Sequence, residues 1–493
     1  MKKISIVIII ALVALSFSGC AGTYLEKASK DLDKYVIQAS YDDQNQVLSV
    51  VETFRYTNRT ENTFDKLAFH IFANAYRQDA VSPIVSHNQK VKAYVNGYSY
   101  GDIEFDRVSV GGSDAAYSIT GSNSDILEVP LGKTLYPSES VSVEMVFEIK
   151  LANIWHRLGY GENTVNLGNW FPILCYISNG EFFTDSYSPN GDPYVSDVAN
   201  FEVGLTAPKG YVVGATGEQV EKIETGDDQK LTYTALAVRD FALVMSKNFN
   251  TEQRQSGGVE LNYLYFADAE PAESADLAKN AFTYFEKILG AYPYDTLTVA
   301  ETDFCYGGME YPRLVMIGSG QEKEDFQRSI VHEIAHQWIY GIVGNDQYRN
   351  AWMDEGLAEF VTLMFFDEYT EYGIKMSSDI TSRIHAYTQY VDVLKSYIQN
   401  FDTAMQKPLN NFVSEQDYVY ATYVKGCLMF HDLYKTMGAS KFKTALKKYV
   451  DNCKLAVATP EEMIGVFSEV YGADLTDWFT AYLTGKDVLS NLE

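Results

Sequence analysis

The chain has 493 residues, 46% of them hydrophobic, and a formal net charge of −27. That length exceeds one compact core and implies two or three domains. The acidic balance excludes nucleic acid as a partner bound through a basic face, since the one notable cationic run, "KTALKKY" at 443–449, has the pattern of a solvated helix face.

The chain opens "MKK", then fourteen uncharged residues, "ISIVIIIALVALSF", then "SGC". A basic start, a short apolar core and small residues fit a secretory signal better than a membrane span, which needs about 20 apolar residues. "FSGC" resembles a bacterial lipoprotein box, with Phe17 where that box more often has Leu. The resemblance implies a signal peptide over 1–20 and lipidation of Cys20. The chain is then exported and lipid-anchored at the outer face of the bacterial cell membrane. Residues 21–34 read as a polar tether. The other cysteines, Cys175, Cys305, Cys427 and Cys453, match no metal-binding spacing. They read as isolated buried thiols rather than two disulfides.

From 35 to 252 the chain is rich in Val, Ile, Phe, Tyr and Thr in partly alternating runs, such as "QVLSVVETFRYTN" and "VSVEMVFEIKL". Turn-forming stretches such as "NGYSYGD" and "SPNGDP" separate them. The pattern predicts an all-β, sandwich-like first domain. After "QRQSGGVE" the texture changes. A helix is predicted over 273–292 and strands over 296–304 and 313–318. Helices dominate from about 325, ending in two amphipathic ones within 460–487. The second domain is therefore read as 253–493.

Residues 324–344, "EDFQRSIVHEIAHQWIYGIVG", carry apolar side chains at helical spacing. His332 and His336 are four apart and share one face, which lets two imidazoles converge on a metal ion. Glu333 beside the first is placed to act on a metal-activated water. A bland alternative is a helix with two satisfied histidines. A catalytic zinc needs a third protein ligand and an open position, and Glu355 in "AWMDEGLAEF" offers a carboxylate. Glu359, one turn later, reads equally as a residue orienting a ligand histidine or as a solvated helix face.

"HEIAH", eighteen intervening residues, then Glu355 in "DEGLAEF" resembles the gluzincin metallopeptidases of the aminopeptidase N family. "YGGMEYP" (306–312) resembles that family's Gly-x-Met-Glu-Asn stretch, and "TYVKGCLMF" (422–430) its Tyr-x-Lys-Gly segment. "NWFP" and "GDPYVSDVANFEV" resemble its first domain, so the likeness runs over roughly 35–490. It implies a β domain followed by a thermolysin-like α+β domain ending in helices. It implies one Zn2+ per chain on His332, His336 and Glu355, with Glu333 as general base and Tyr423 donating to the developing oxyanion. Glu310 would grip the α-amine of a peptide substrate, along an edge formed by Gly307, Gly308 and Met309. Two departures stand out. Tyr311 replaces the family's Asn, and the chain ends about seventy residues after Tyr423, without the large helical domain of many members. The family's first-domain Gln or Glu that also meets the amine has no assignable counterpart. The resulting expectation is a tethered zinc aminopeptidase acting on peptides. A zinc endopeptidase with an open cleft and a catalytically silent surface peptide-binding lipoprotein are the alternatives.

Overall fold

The computed structural model describes residues 24–398 and 401–485. Cys20, the expected signal segment and the first three residues of the expected tether lie outside them. Within the rest of that stretch, Tyr24–Ala28 form a short helix. Asn200 Nδ2 in the first domain donates to the carbonyl of buried Ser29 just beyond it. Among the described residues no helix is long and apolar enough to cross a membrane.

The first domain is built on an eight-stranded sheet. Its strands are β1 (Lys34–Asp42), β2 (Val47–Thr57), β3 (Asp102–Val110), β4 (Ser113–Asp114), β5 (Ser140–Lys150), β6 (Ala199–Pro208), β7 (Glu218–Thr225) and β8 (Asp228–Val238). They lie in the order β7-β8-β6-β1-β2-β5-β3-β4. Only β1 and β6 run parallel in this sheet. Burial alternates along β1, β2 and β5, as a sheet with one covered face requires. Two four-stranded sheets and a two-stranded hairpin (177–182) complete the domain. One packs on the covered face through Phe69, whose ring meets Phe54 edge-on at 5.6 Å.

That covered face contains a carboxylate. Glu52 on β2 is fully buried, and neither of its oxygens has a partner. Burial raises its pKa well above the usual carboxylate range. The folded chain therefore holds Glu52 protonated. Stability from that form is complete below the unfolded value of about 4.3 and is lost as pH rises through the folded pKa. Glu52→Met is expected to stabilise the protein by about 1–3 kcal/mol. The gain should be larger at about pH 8 than at about pH 4, as followed by denaturant unfolding at both.

The expected start of the second domain, residue 253, falls within a strand. Strand β9 (Asn250–Ser256) straddles that point and pairs with β10 (Val259–Tyr265). Both belong to a five-stranded sheet with β11 (Thr296–Thr302), β12 (Gly308–Met309) and β13 (Leu314–Gly318), ordered β9-β10-β11-β13-β12. The "SGG" punctuation at 256–258 is thus a hairpin turn inside the second sheet rather than a linker between domains. The central β10, β11 and β13 run parallel, whereas β12 is antiparallel and forms the edge.

The helices follow: α1 (Pro271–Leu289), α2 (Lys323–Ala335), α3 (Leu357–Glu368), α4 (Met376–Tyr397), α5 (Glu415–Val419), α6 (Lys425–Met437), α7 (Ala439–Cys453), α8 (Pro460–Tyr471) and α9 (Thr476–Leu483). Helix α8 opens on a capping box between Thr459 and Glu462 and stops at Gly472 in the left-handed region. The expected order of β domain, mixed domain and terminal helices is the order observed. Cys175, Cys305, Cys427 and Cys453 are free and buried.

One buried side chain ties the domains together. Arg239 follows β8 and is 1% exposed. Its guanidinium donates to Ser196 O in its own domain and to Tyr340 O, Ile342 O and Ala456 O in the other. A side chain at Gly344 would collide with it, since a Cβ there falls 2.3 Å from Arg239 Cζ.

Candidate metal centre and cleft

Helix α2 carries Ile330, Val331, Ile334 and Ala335 into the core, which fixes its rotation and presents His332, Glu333 and His336 on the opposite side. His336 is the residue at which the helix ends. The Nε2 atoms of His332 and His336 stand 3.0 Å apart, and each is 3.2 Å from Glu355 Oε2. All three residues are buried.

The arrangement fits zinc. Four ligands at about 2.0–2.1 Å in a tetrahedron lie about 3.3 Å from one another, close to the observed triangle. The tautomers agree as well. His336 Nδ1 donates to Ile339 O at 2.8 Å, and His332 Nδ1 faces Glu359 Oε1 at 3.3 Å. Both Nε2 lone pairs then point at each other and at a carboxylate, an arrangement that a shared cation makes favourable. Though burial opposes it, the two imidazoles hold Glu355 well below the usual carboxylate range. Glu359 is the orienting residue of the two alternatives weighed for it: its other oxygen accepts from Arg383 Nη2 at 2.5 Å. Burial opposes ionisation there too, but Arg383 brings its pKa down to about 2.

Two π-helical turns deliver the remaining groups. Trp352–Gly356 presents Glu355, and Tyr420–Val424 presents Tyr423. Such turns recur at functional sites. They pack directly on each other: a Cβ at Gly356 would fall 3.2 Å from Thr422 O in the second turn and 2.9 Å from the Cα of Gly426 just beyond it. Glycine at both positions sets the spacing between Glu355 and Tyr423. The Tyr423 ring lies over His332, centroids 6.1 Å apart and planes 21° apart. Burial, then the charge of Glu355, raises its phenol pKa well above normal, so the hydroxyl keeps its proton.

A cleft of about 1030 Å³ opens onto this centre, lined by both domains. His332, Glu333, Glu355 and Tyr423 all face it, leaving an open side at the ligand triangle. Gly307 and Gly308, at the start of β12, line the cleft. Gly308 has no room for a side chain, since a Cβ there would lie 2.5 Å from Glu333 Oε1. Met309 is different: its side chain is 1% exposed, absent from the cleft wall, and meets Arg157 Nε at 3.1 Å through Sδ. Burial, with Glu355 and Asp192 adding to it, pushes the Glu333 carboxyl up to about 7. Glu310 is buried beside the triad, holds Gln347 Nε2 at 3.3 Å, and is also pushed up by burial and by Asp192.

Three features escaped the sequence reading. Asp192, inside the "SPNGDP" punctuation, brings a first-domain carboxylate to within 4.8 Å of oxygens of Glu310 and Glu355. Arg157 pairs with it and stacks on Tyr194 and Tyr306. Tyr311 leaves the cleft altogether: it is fully buried, packs on Gly168 and donates to Asn169 Oδ1 at 2.7 Å. The departure from the family's Asn therefore alters a contact between domains and not the wall of the cleft.

Residues 273–482 match the sequence profile of the peptidase family M1 domain. Aminopeptidase M1-B of Oryza sativa subsp. japonica is 26% identical over 238 residues, covering 44% of this chain and 25% of the rice protein. Aminopeptidase N of Streptomyces lividans is 23% identical over 310 residues, 58% of this chain and 35% of its own. The chain thus spans a quarter to about a third of these relatives. The M1 zinc metallopeptidase from Deinococcus radiodurans shares the fold over 93% of this chain and 95% of its own, at TM-score 0.68 and 16% identity. Residues 273–482, which carry the metal triangle and Tyr423, match the peptidase family M1 domain, and the chain as a whole shares the fold of an M1 zinc metallopeptidase.

Proposed function

We propose that this chain is a zinc-dependent aminopeptidase, removing residues from the N-terminus of peptides, tethered outside the cytoplasm through a lipid on Cys20. The tethering rests on the basic, apolar and "SGC" pattern of the first twenty residues. The aminopeptidase reading rests chiefly on Glu310 and Asp192, two carboxylates beside the ligand Glu355. A substrate's terminal ammonium there supplies a counter-charge to the Glu310 carboxyl, which has no ion pair among the described residues, while Asp192 beside it is already paired with Arg157.

When bound, zinc supplies Lewis-acid polarisation and lowers the pKa of a bound water towards about 7. Glu333 takes the proton of the attacking water on its carboxylate and returns it to the nitrogen of the departing peptide. The Tyr423 hydroxyl donates a hydrogen bond to the scissile carbonyl oxygen as its charge grows. The outer edge of β12 offers its backbone to an extended substrate, while Glu310 and Asp192 fix the register so that the first peptide bond meets the metal.

The deciding experiment compares two peptides of one sequence, one with a free N-terminus and one acetylated, incubated with the metal-loaded chain. Stepwise release of residues from the free peptide only is the expected result. Internal cleavage of both would keep the hydrolytic chemistry and discard the exopeptidase assignment.

A further inference from the structure

Lys425 is a buried cation that the proposed chemistry leaves unused. It is fully buried, and among the described residues no carboxylate pairs with it: Asp402, beside one of its partners in the chain, pairs with Lys407 instead. The ammonium is met by backbone. Its Nζ donates to Thr403 O at 2.7 Å and to Tyr482 O at 2.6 Å. Burial pulls its pKa down to about 7. A dry cation without a counter-ion is costly, and an apolar side chain of similar length would avoid that cost. The position therefore demands the two bonds rather than packing alone.

Those bonds fasten the turn that carries Tyr423. Lys425 begins α6 directly after the π turn Tyr420–Val424. Its two acceptors belong to one brace. Tyr482 lies at the end of α9, where helix carbonyls lack intrahelical partners and a cation is favourable. The segment 403–407 is laid against that helix end: Met405 N donates to Leu483 O at 3.0 Å, and Thr403 Oγ1 donates to Gly485 O at 3.2 Å. The same segment also reaches the chain ahead of Tyr423. Lys407 Nζ lies 3.5 Å from Oδ2 of the buried Asp417 on α5. The helical run that bears Tyr423 is thus held before it at Asp417 and after it at Lys425. A π turn is a rare and local departure from the α-helix, and this one is supported from outside on both sides.

We infer that Lys425 is a positioning residue for the reaction: by tying the π turn to Thr403 and to the end of α9, it fixes where the Tyr423 hydroxyl stands beside the metal ligands. The inference rests on the donor role given to Tyr423 above. A misplacement of about 1 Å at a reacting group can cost about 10²-fold in rate. The resting substrate does not use this donor, so the loss belongs to kcat and not to KM.

The test is a double-mutant cycle on the full metal-loaded chain, with a fluorogenic amide of leucine as substrate. Lys425→Met should lower kcat about tenfold or more at a nearly constant KM. In a Tyr423→Phe background the same substitution should change kcat less than about twofold, because the group through which it acts is gone. Melting temperature and zinc content are measured for each variant. If Lys425→Met does not yield folded protein, Lys407→Met, which cuts the same brace at Asp417, is taken through the same cycle with the same expectation. An equal loss of kcat in both backgrounds, or a rise in KM at constant kcat, overturns the role of Lys425 and leaves that of Tyr423 standing. Full turnover by Tyr423→Phe alone overturns both, and no turnover of the amide by the unmodified chain overturns the aminopeptidase reading with them.

Discussion

Replacing Glu333 with glutamine should reduce peptide hydrolysis by about 10²–10⁴-fold, the range typical of a positioned general base, while zinc stays at one per chain. The substitution preserves size, so the close approach of Gly308 to this side chain is undisturbed. It leaves His332, His336 and Glu355 untouched, so the metal site keeps its three donors. What it removes is a proton acceptor whose pKa, raised to about 7 by burial and by the charges of Glu355 and Asp192, matches the task of accepting and then releasing a proton near neutral pH. Metal content by elemental analysis, measured with turnover, separates loss of the base from loss of the ion. Full turnover by the variant would show that another group moves the proton.

The second large effect is at Tyr423. Phenylalanine there keeps the ring over His332 and deletes only the hydroxyl, a donor that its raised pKa keeps protonated. Loss of one such donor at a developing oxyanion costs about 10²–10³ in kcat. Because the donor acts where charge develops and not on the resting substrate, kcat should fall while KM changes little. A rise in KM at constant kcat would instead assign Tyr423 to ground-state binding.

The parts of this site that lie close together in sequence were the legible ones. His332, Glu333 and His336 share a single helix face, and the apolar residues of α2 announce its rotation. Glu355 follows within twenty residues, and Gly307 to Glu310 form one short strand and its end. What the sequence hid depends on contacts between distant segments. Asp192 sits in a stretch whose Pro, Asn and Gly read as a turn, and only the docking of the domains turns its carboxylate towards Glu310. Tyr311 misled in the opposite sense: its place in the motif suggested the cleft, whereas its hydroxyl bonds to Asn169 of the first domain. The two π turns leave no periodic trace, because one residue added to a helical turn is invisible in a pattern of apolar spacing. Two consecutive glycines mark a tight hairpin as readily as a linker, and β9 and β10 use them for the former.

The tie at Arg239 bears on how the molecule comes apart. Its charge is buried and met by carbonyl groups from both domains. Separating the domains strips most of those acceptors from the guanidinium at once, and exposes the dipoles they leave behind. Neither half can therefore loosen without disturbing the other. A cleft assembled from two chain segments is thereby braced at a point outside its own wall, so that loss of Arg239 acts on the alignment of its two sides as well as on stability.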